Sequence, residues 1–396
     1  MKKWILPIAL ILLFVFEILG IYFIMPFPGS QYDNTIGIAW FFHKNLVWIR
    51  ILFILLVIWQ AYRLIRNKKF GRLTFTVFFL ILYAFISYFI NFRMNADKMF
   101  YQPENKIFIL SSDNKVAPEK LIIGVEINGE AKAYPIEIIG YHHQVRDVVG
   151  GQEVMVTYCT VCRTGRVFDP VVNGKKENFR LVGMDHFNAM FEDESTGSWW
   201  RQATGEAITG KLKGTKLPEI FSEQMTLAAW TRKHPQSKTM QPDTVFLKQY
   251  KDLAGFDEGT INSDLERRDE NAFQFKSWVV AININARSKA YDWNYLLNKK
   301  VINDDFENTP VLLVIENDHK SFHAWSRTVE NEILEFEADE SGINFRDIQT
   351  NSKWNYDGIC IEGALIGKQL VPIKSSQEFY HAWLQFNPDG EEFKEK

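Results

Sequence analysis

Three cysteines, Cys159, Cys162 and Cys360, are too few and of the wrong parity for a disulfide framework. A formal net charge of −3 leaves no basic excess, so composition points neither to nucleic acid as a partner nor to a polybasic membrane patch. No Ser/His/Asp order, phosphate-cradling loop or paired-carboxylate motif stands out, so hydrolase chemistry has no motif and no reaction is assigned. Acidic side chains are nearly missing from the first quarter. Before Asn91 there are only Glu17 and Asp33, whereas charge of both signs is dense after Asp97. A soluble chain rarely divides that way.

That first quarter is apolar instead. Three runs, at 4–25, 46–65 and 73–90, match the length of about 20 residues that crosses a bilayer. Glu17 interrupts the first, Arg50 interrupts the second near one end, and the third carries no charge. Hydrocarbon offers backbone amides no partners, so all three are expected to be helical, with membrane lipid around them. Arg63, Arg66, Lys68, Lys69 and Arg72 fall between the second and third runs, and Lys2 and Lys3 precede the first. Basic loops stay in the cytoplasm, so an odd number of crossings exports everything after Arg93. The expectation is a multi-pass protein of the inner (cytoplasmic) membrane with an extracytoplasmic soluble domain, able to meet a membrane or extracytoplasmic protein partner. Pro26-Phe27-Pro28-Gly29 makes a poor cleavage site, so the first run is expected to be retained. Glu17, with no partner identifiable in sequence, is expected to face a neighbouring helix or a polar cavity.

Residues 121–388 read as two copies of one unit. Ile122 to Tyr134 and Val279 to Tyr291 share strand–turn–strand patterning, and Lys132-Ala133-Tyr134 recurs as Lys289-Ala290-Tyr291. Phe191 to Trp200 resembles Phe345 to Trp354, and Ala229-Trp230 recurs as Ala382-Trp383. In these segments Asp193, Thr196, Ser198 and Trp200 suggest an Asx-type turn with the indole packed inward. The expected organisation is a transmembrane anchor (1–95), a first repeat (96–235), a connecting segment (236–276) and a second repeat (277–396). The fold class is a three-helix transmembrane region followed by a mainly β, α+β domain of two tandem repeats that can pair about a pseudo-twofold axis.

The strongest local signal for chemistry is Tyr158-Cys159-Thr160-Val161-Cys162-Arg163-Thr164-Gly165, which places two sulfurs on a turn between strands. Both could face one metal ion, with His143 as third ligand and His142 or His186 as fourth. Thiolate with imidazole suits zinc or copper. The same pair could cycle between dithiol and disulfide, which suits an oxidising compartment. It could also be a purely structural turn. All three readings stay open, alongside a non-enzymatic binding or assembly module. At the same place in the second copy stand His319 and, nearby, His323, which read as a polar hairpin tip. Cys360 lies between isoleucines and reads as core, while His43, His234 and His381 have no partners in sequence.

With these motifs assembled, the stretch from about Val125 to His234 resembles the domain of unknown function 3179 family. The resemblance is carried by Ala133-Tyr134-Pro135, His143 to Gly151 (H-x-V-x-D-V-V-G-G), Val156 to Cys162 (V-T-Y-C-x-x-C), Asp193 to Trp200 (D-x-x-T-G-S-x-W), Gly205 to Ile208 and His234-Pro235. It implies the fold and the site and carries no established reaction. Gln144 and Arg146 depart from the Glu and Asn usual in that family, and Thr160 and Arg163 stand where it often has Pro and Gly.

Overall fold

The computed structural model describes residues 4–339 and 342–395, so Lys2 and Lys3 lie outside the described residues. Two compact units emerge, one of Met1–Tyr101, Glu177–Arg201 and Glu206–Lys216, the other of Gln102–Lys176, Gln202–Gly205 and Leu217–Lys396.

In the first unit, α1 (Ile5–Tyr22), α2 (Ile36–Arg66) and α3 (Phe70–Phe92) are each long and apolar enough to cross a membrane. Many of their large apolar side chains remain exposed, as lipid-facing helices require. Glu17 is fully buried and faces the two neighbouring helices, as expected, where it finds partners that the sequence did not identify. It accepts from Arg50 Nη2 at 2.5 Å, Asn91 Nδ2 at 2.5 Å, Tyr83 Oη at 2.9 Å and Ser87 Oγ at 3.2 Å. Arg50 is the charge near the start of the second run, and the apolar cost of each charge is offset only because the helices bring the two together.

α2 begins ten residues before the apolar run expected at 46. Its extra turns carry Trp40, which meets Trp199 edge-on at 5.0 Å, and His43, whose Nε2 lies 2.8 Å from Glu192 Oε2. Those partners belong to a three-stranded sheet of Phe179–Asp185, Asn188–Asp193 and Trp199–Arg201. The end of α1 joins it too, since Met184 N–H donates to Ile24 O at 2.8 Å. A Cβ at Gly183 would sit 2.2 Å from that carbonyl, so only glycine lets the strand approach. Asp193 accepts from Thr196 N–H (2.6 Å), Ser198 N–H (3.1 Å) and Trp200 Nε1 (2.8 Å), which is the Asx-type turn expected there.

The second unit is rich in strands arranged as several small sheets. One has the order Phe108–Leu110, Lys238–Met240, Glu130–Pro135, Leu121–Ile127, Glu223–Thr226, and another has Ser375–Phe379, Trp278–Ile284, Arg287–Asp292, Glu391–Glu392. Strand alternation puts Lys132 and Tyr134 on one face, where both donate to Asp147 Oδ2, at 2.9 and 2.8 Å. Lys289 and Tyr291 do the same to Asp304 Oδ2, at 2.5 and 2.9 Å. This shared carboxylate is the physical content of the Lys-Ala-Tyr pattern. Cys360 is buried in a cluster with Leu312, Val314, Phe345 and Trp354.

Candidate functional site

The cysteines sit where antiparallel strands Gln152–Cys159 and Thr164–Phe168 meet, with Cys159 opposite Thr164 and Tyr158 opposite Gly165. Residues 160–163 make the turn. Its last residue, Arg163, has φ +53, a left-handed conformation that costs an ordinary side chain roughly 1–2 kcal/mol. Its buried guanidinium offsets that cost through tertiary contacts. It stacks 3.7 Å from the Trp278 ring centroid and donates to Gln377 Oε1 at 2.7 Å and to Phe256 O at 3.0 Å. An arginine thus holds the left-handed position of this turn through its side-chain contacts.

Cys159 and Cys162 are both fully buried, as thiols rather than a disulfide. The turn's backbone is bound on its other side by residues far away in sequence. Phe379 N–H donates to Cys162 O at 2.9 Å. The Lys276 ammonium donates to Val161 O at 2.7 Å, and His381 Nε2 lies 3.2 Å from both Lys276 Nζ and Val161 O. A proton on Nε2 is donated to Val161 O, whereas a proton on Nδ1 leaves Nε2 to accept from Lys276. Burial, reinforced by the neighbouring lysine charge, holds His381 down at about 3. Burial also lowers Lys276 to about 8, against the opposing pull of Cys162, Cys159 and Glu266. An amine so perturbed, hydrogen-bonded to the backbone between two cysteines, makes this turn a candidate functional site.

The histidines divide. His143 caps the helix Ile136–His142 in a left-handed conformation, its ring Nδ1 3.1 Å from Tyr141 O. Burial holds it near 4, and Glu266, which acts on it, also accepts from Thr160 Oγ1 at 2.5 Å. His142 is engaged elsewhere, with Nε2 2.7 Å from Tyr250 Oη. His186 belongs to the other compact unit, where its Nδ1 lies 2.7 Å from Asp185 Oδ1. Among the described residues no group of three or more His, Cys, Asp or Glu side chains is placed to hold a metal ion. Of the ligands expected for zinc or copper, His143 meets Tyr141 O, His142 meets Tyr250 Oη and His186 meets Asp185 through one ring nitrogen each.

Lys276 and His381 were not legible as site residues. Neither stands near the cysteines in sequence, and His381 carries no local motif. In the hairpin at 316–321, His319 is exposed as expected of a tip, but His323 is buried, 2.8 Å from Glu316 Oε1.

A family model described as a protein of unknown function (DUF3179) matches residues 104–390. No curated protein and no solved structure matches the chain.

Proposed function

The chain belongs to the DUF3179 family, and on that premise we propose that it is a membrane-anchored extracytoplasmic protein of two tandem repeats, whose first repeat carries a redox-active Cys159/Cys162 dithiol. The observation that carries this reading is the buried Lys276 ammonium, which donates to Val161 O, in the turn between the two cysteines, at 2.7 Å. A fixed cation next to a thiol favours the thiolate, the species that attacks a disulfide.

Duplication is supported by recurrence of elements. Leu121–Ile127, Glu130–Pro135, Ile136–His142 and Gln144–Val149 are followed, each 157 residues on, by Trp278–Ile284, Arg287–Asp292, Trp293–Lys299 and Val301–Phe306. The contacts are reciprocal as well. Phe379, at the strand–helix junction of the second copy, donates to the first copy's turn, and Thr226 N–H, at the junction of the first, donates to Ser321 Oγ of the second copy's turn at 3.0 Å. The outward orientation is supported by the basic loop 63–72 and an odd number of apolar helices.

In the redox step the two thiols lose two electrons and two protons and form one S–S bond, while a partner disulfide is reduced to two thiols. Both sulfurs are buried, so the turn must part from Phe379 and Lys276 before a bulky disulfide can reach them. Equilibrating the full-length protein in detergent across thiol/disulfide buffers, then quenching with acid, denaturing and alkylating, tests this. Three adducts at the reducing end should fall to one in a single step, with Cys360 as the survivor. Three adducts throughout would overturn the reading.

Full burial of both sulfurs favours a second reading, a non-enzymatic binding or assembly module in which the turn only locks the two halves together. In that case Cys159→Ser and Cys162→Ser would leave cellular function intact.

A further inference from the structure

The ends of α1, α2 and α3 nearest the basic loop enclose a recess of about 710 Å³, within the usual range for small-ligand sites. Leu10, Leu64 and Phe75 form an apolar wall, and every charged residue lining it is a cation: Arg63, Lys69 and Arg72. The chain's near-neutral total conceals this local excess. Gln60 lines the same recess at 6% exposure, and its Nε2 has no hydrogen-bond partner among the described residues. A buried amide donor left without an acceptor is costly, so the site is built to receive one. Helices α1 and α3 also begin here, at Trp4 and Lys69, and neither cap supplies a side-chain acceptor to the first-turn N–H groups. Helix starts favour an anion, although the end of α2 opposes it.

We propose that this recess binds an anionic phospholipid of the leaflet on the basic-loop side, with its phosphate among Arg63, Lys69 and Arg72, its acyl chain along Leu10, Leu64 and Phe75, and a lipid oxygen accepting from Gln60 Nε2. An apolar wall joined to a cationic mouth fits an amphiphile better than a free anion. The site is independent of the cysteines.

The test is lipid binding to delipidated full-length protein in neutral detergent, comparing phosphatidylglycerol, phosphatidylcholine and inorganic phosphate. Wild type should prefer phosphatidylglycerol over phosphatidylcholine, and inorganic phosphate should not displace it. Neutralising all three cations (Arg63→Gln, Lys69→Gln, Arg72→Gln) should weaken phosphatidylglycerol about 100-fold, at roughly 0.7 decade per charge, and leave phosphatidylcholine unchanged. Gln60→Leu should weaken both lipids about fivefold with the melting temperature retained, which keeps the test informative if the triple variant folds poorly. Equal binding of the two lipids by wild type, or displacement by inorganic phosphate alone, would overturn the proposal.

Discussion

Two hairpin turns in the strand-rich unit, 157 residues apart, each join paired antiparallel strands and hold different chemistry. At 159–164 the strand ends carry Cys159 and Thr164, with Cys162 between them, and the turn faces Lys276 and His381. At 316–321 the place of Cys159 is taken by Glu316, which accepts from His323 and from Arg232 Nη2 at 2.7 Å. The second turn is closed by an ordinary ion-paired network, the first by soft nucleophiles and a buried amine. The scaffold therefore does not need cysteine to make this turn. What distinguishes the first turn is its chemistry, and the way to break or sharpen the comparison is to ask which properties vanish when one turn is made like the other.

Acid should separate them most. Burial holds His143 near 4 and His381 near 3, so between those values and the ordinary 6.5 the unfolded chain binds protons that the folded chain refuses. Stability is then complete above about 6.5 and falls as pH drops, by about 2 kcal/mol per ring at pH 5. Glu316 behaves differently. Burial pushes it up, yet hydrogen bonds from His323 and Arg232 hold it below its ordinary 4.5. Its contribution is present above that value and is lost only at lower pH, as the folded group is protonated. Denaturant melts across this range should show the decline between pH 6.5 and 4.5 largely reduced in a His143→Asn, His381→Asn double variant, with a remainder from the lowered His234, and retained in Glu316→Gln.

Arg163→Ala comes next. It removes a stacked, doubly hydrogen-bonded guanidinium and should cost about 3 kcal/mol in a denaturant melt. Lys276→Met should keep the fold while slowing oxidation of the cysteine pair on the order of tenfold at neutral pH, the equivalent of one pKa unit of lost thiolate. A rate unchanged in stopped alkylation would make the lysine a packing group only. The smallest effect is expected at Lys320→Ala, in the second turn. Its partner Glu258 is half exposed, and the change should stay within about 0.5 kcal/mol.

The contrast between these turns also marks where sequence reading ends. Their strands, the Asn and Gly turns before them and the Lys-Ala-Tyr register were legible because alternation and turn chemistry act over a few residues. The Asp193 turn was legible for the same reason, since Thr196, Ser198 and Trp200 all close on it locally. His142 and His143 adjoin at the end of a short helix, where neighbouring rings meet different partners, here Tyr250 Oη and Tyr141 O, which sequence adjacency does not reveal.

The sequence by itself determined three apolar helices, a strand-rich remainder, the family and the position of the cysteine turn, because hydrophobic length, periodicity and local hydrogen bonding are written in consecutive residues. Tertiary structure alone decided that Glu17 meets Arg50 across 33 positions, that Lys276 reaches Val161 across 115 and that His381 reaches it across 220. Those separations exceed the reach of any local pattern. Burial then changed what the groups could do, by lowering an amine and silencing two imidazoles that would be ordinary in water.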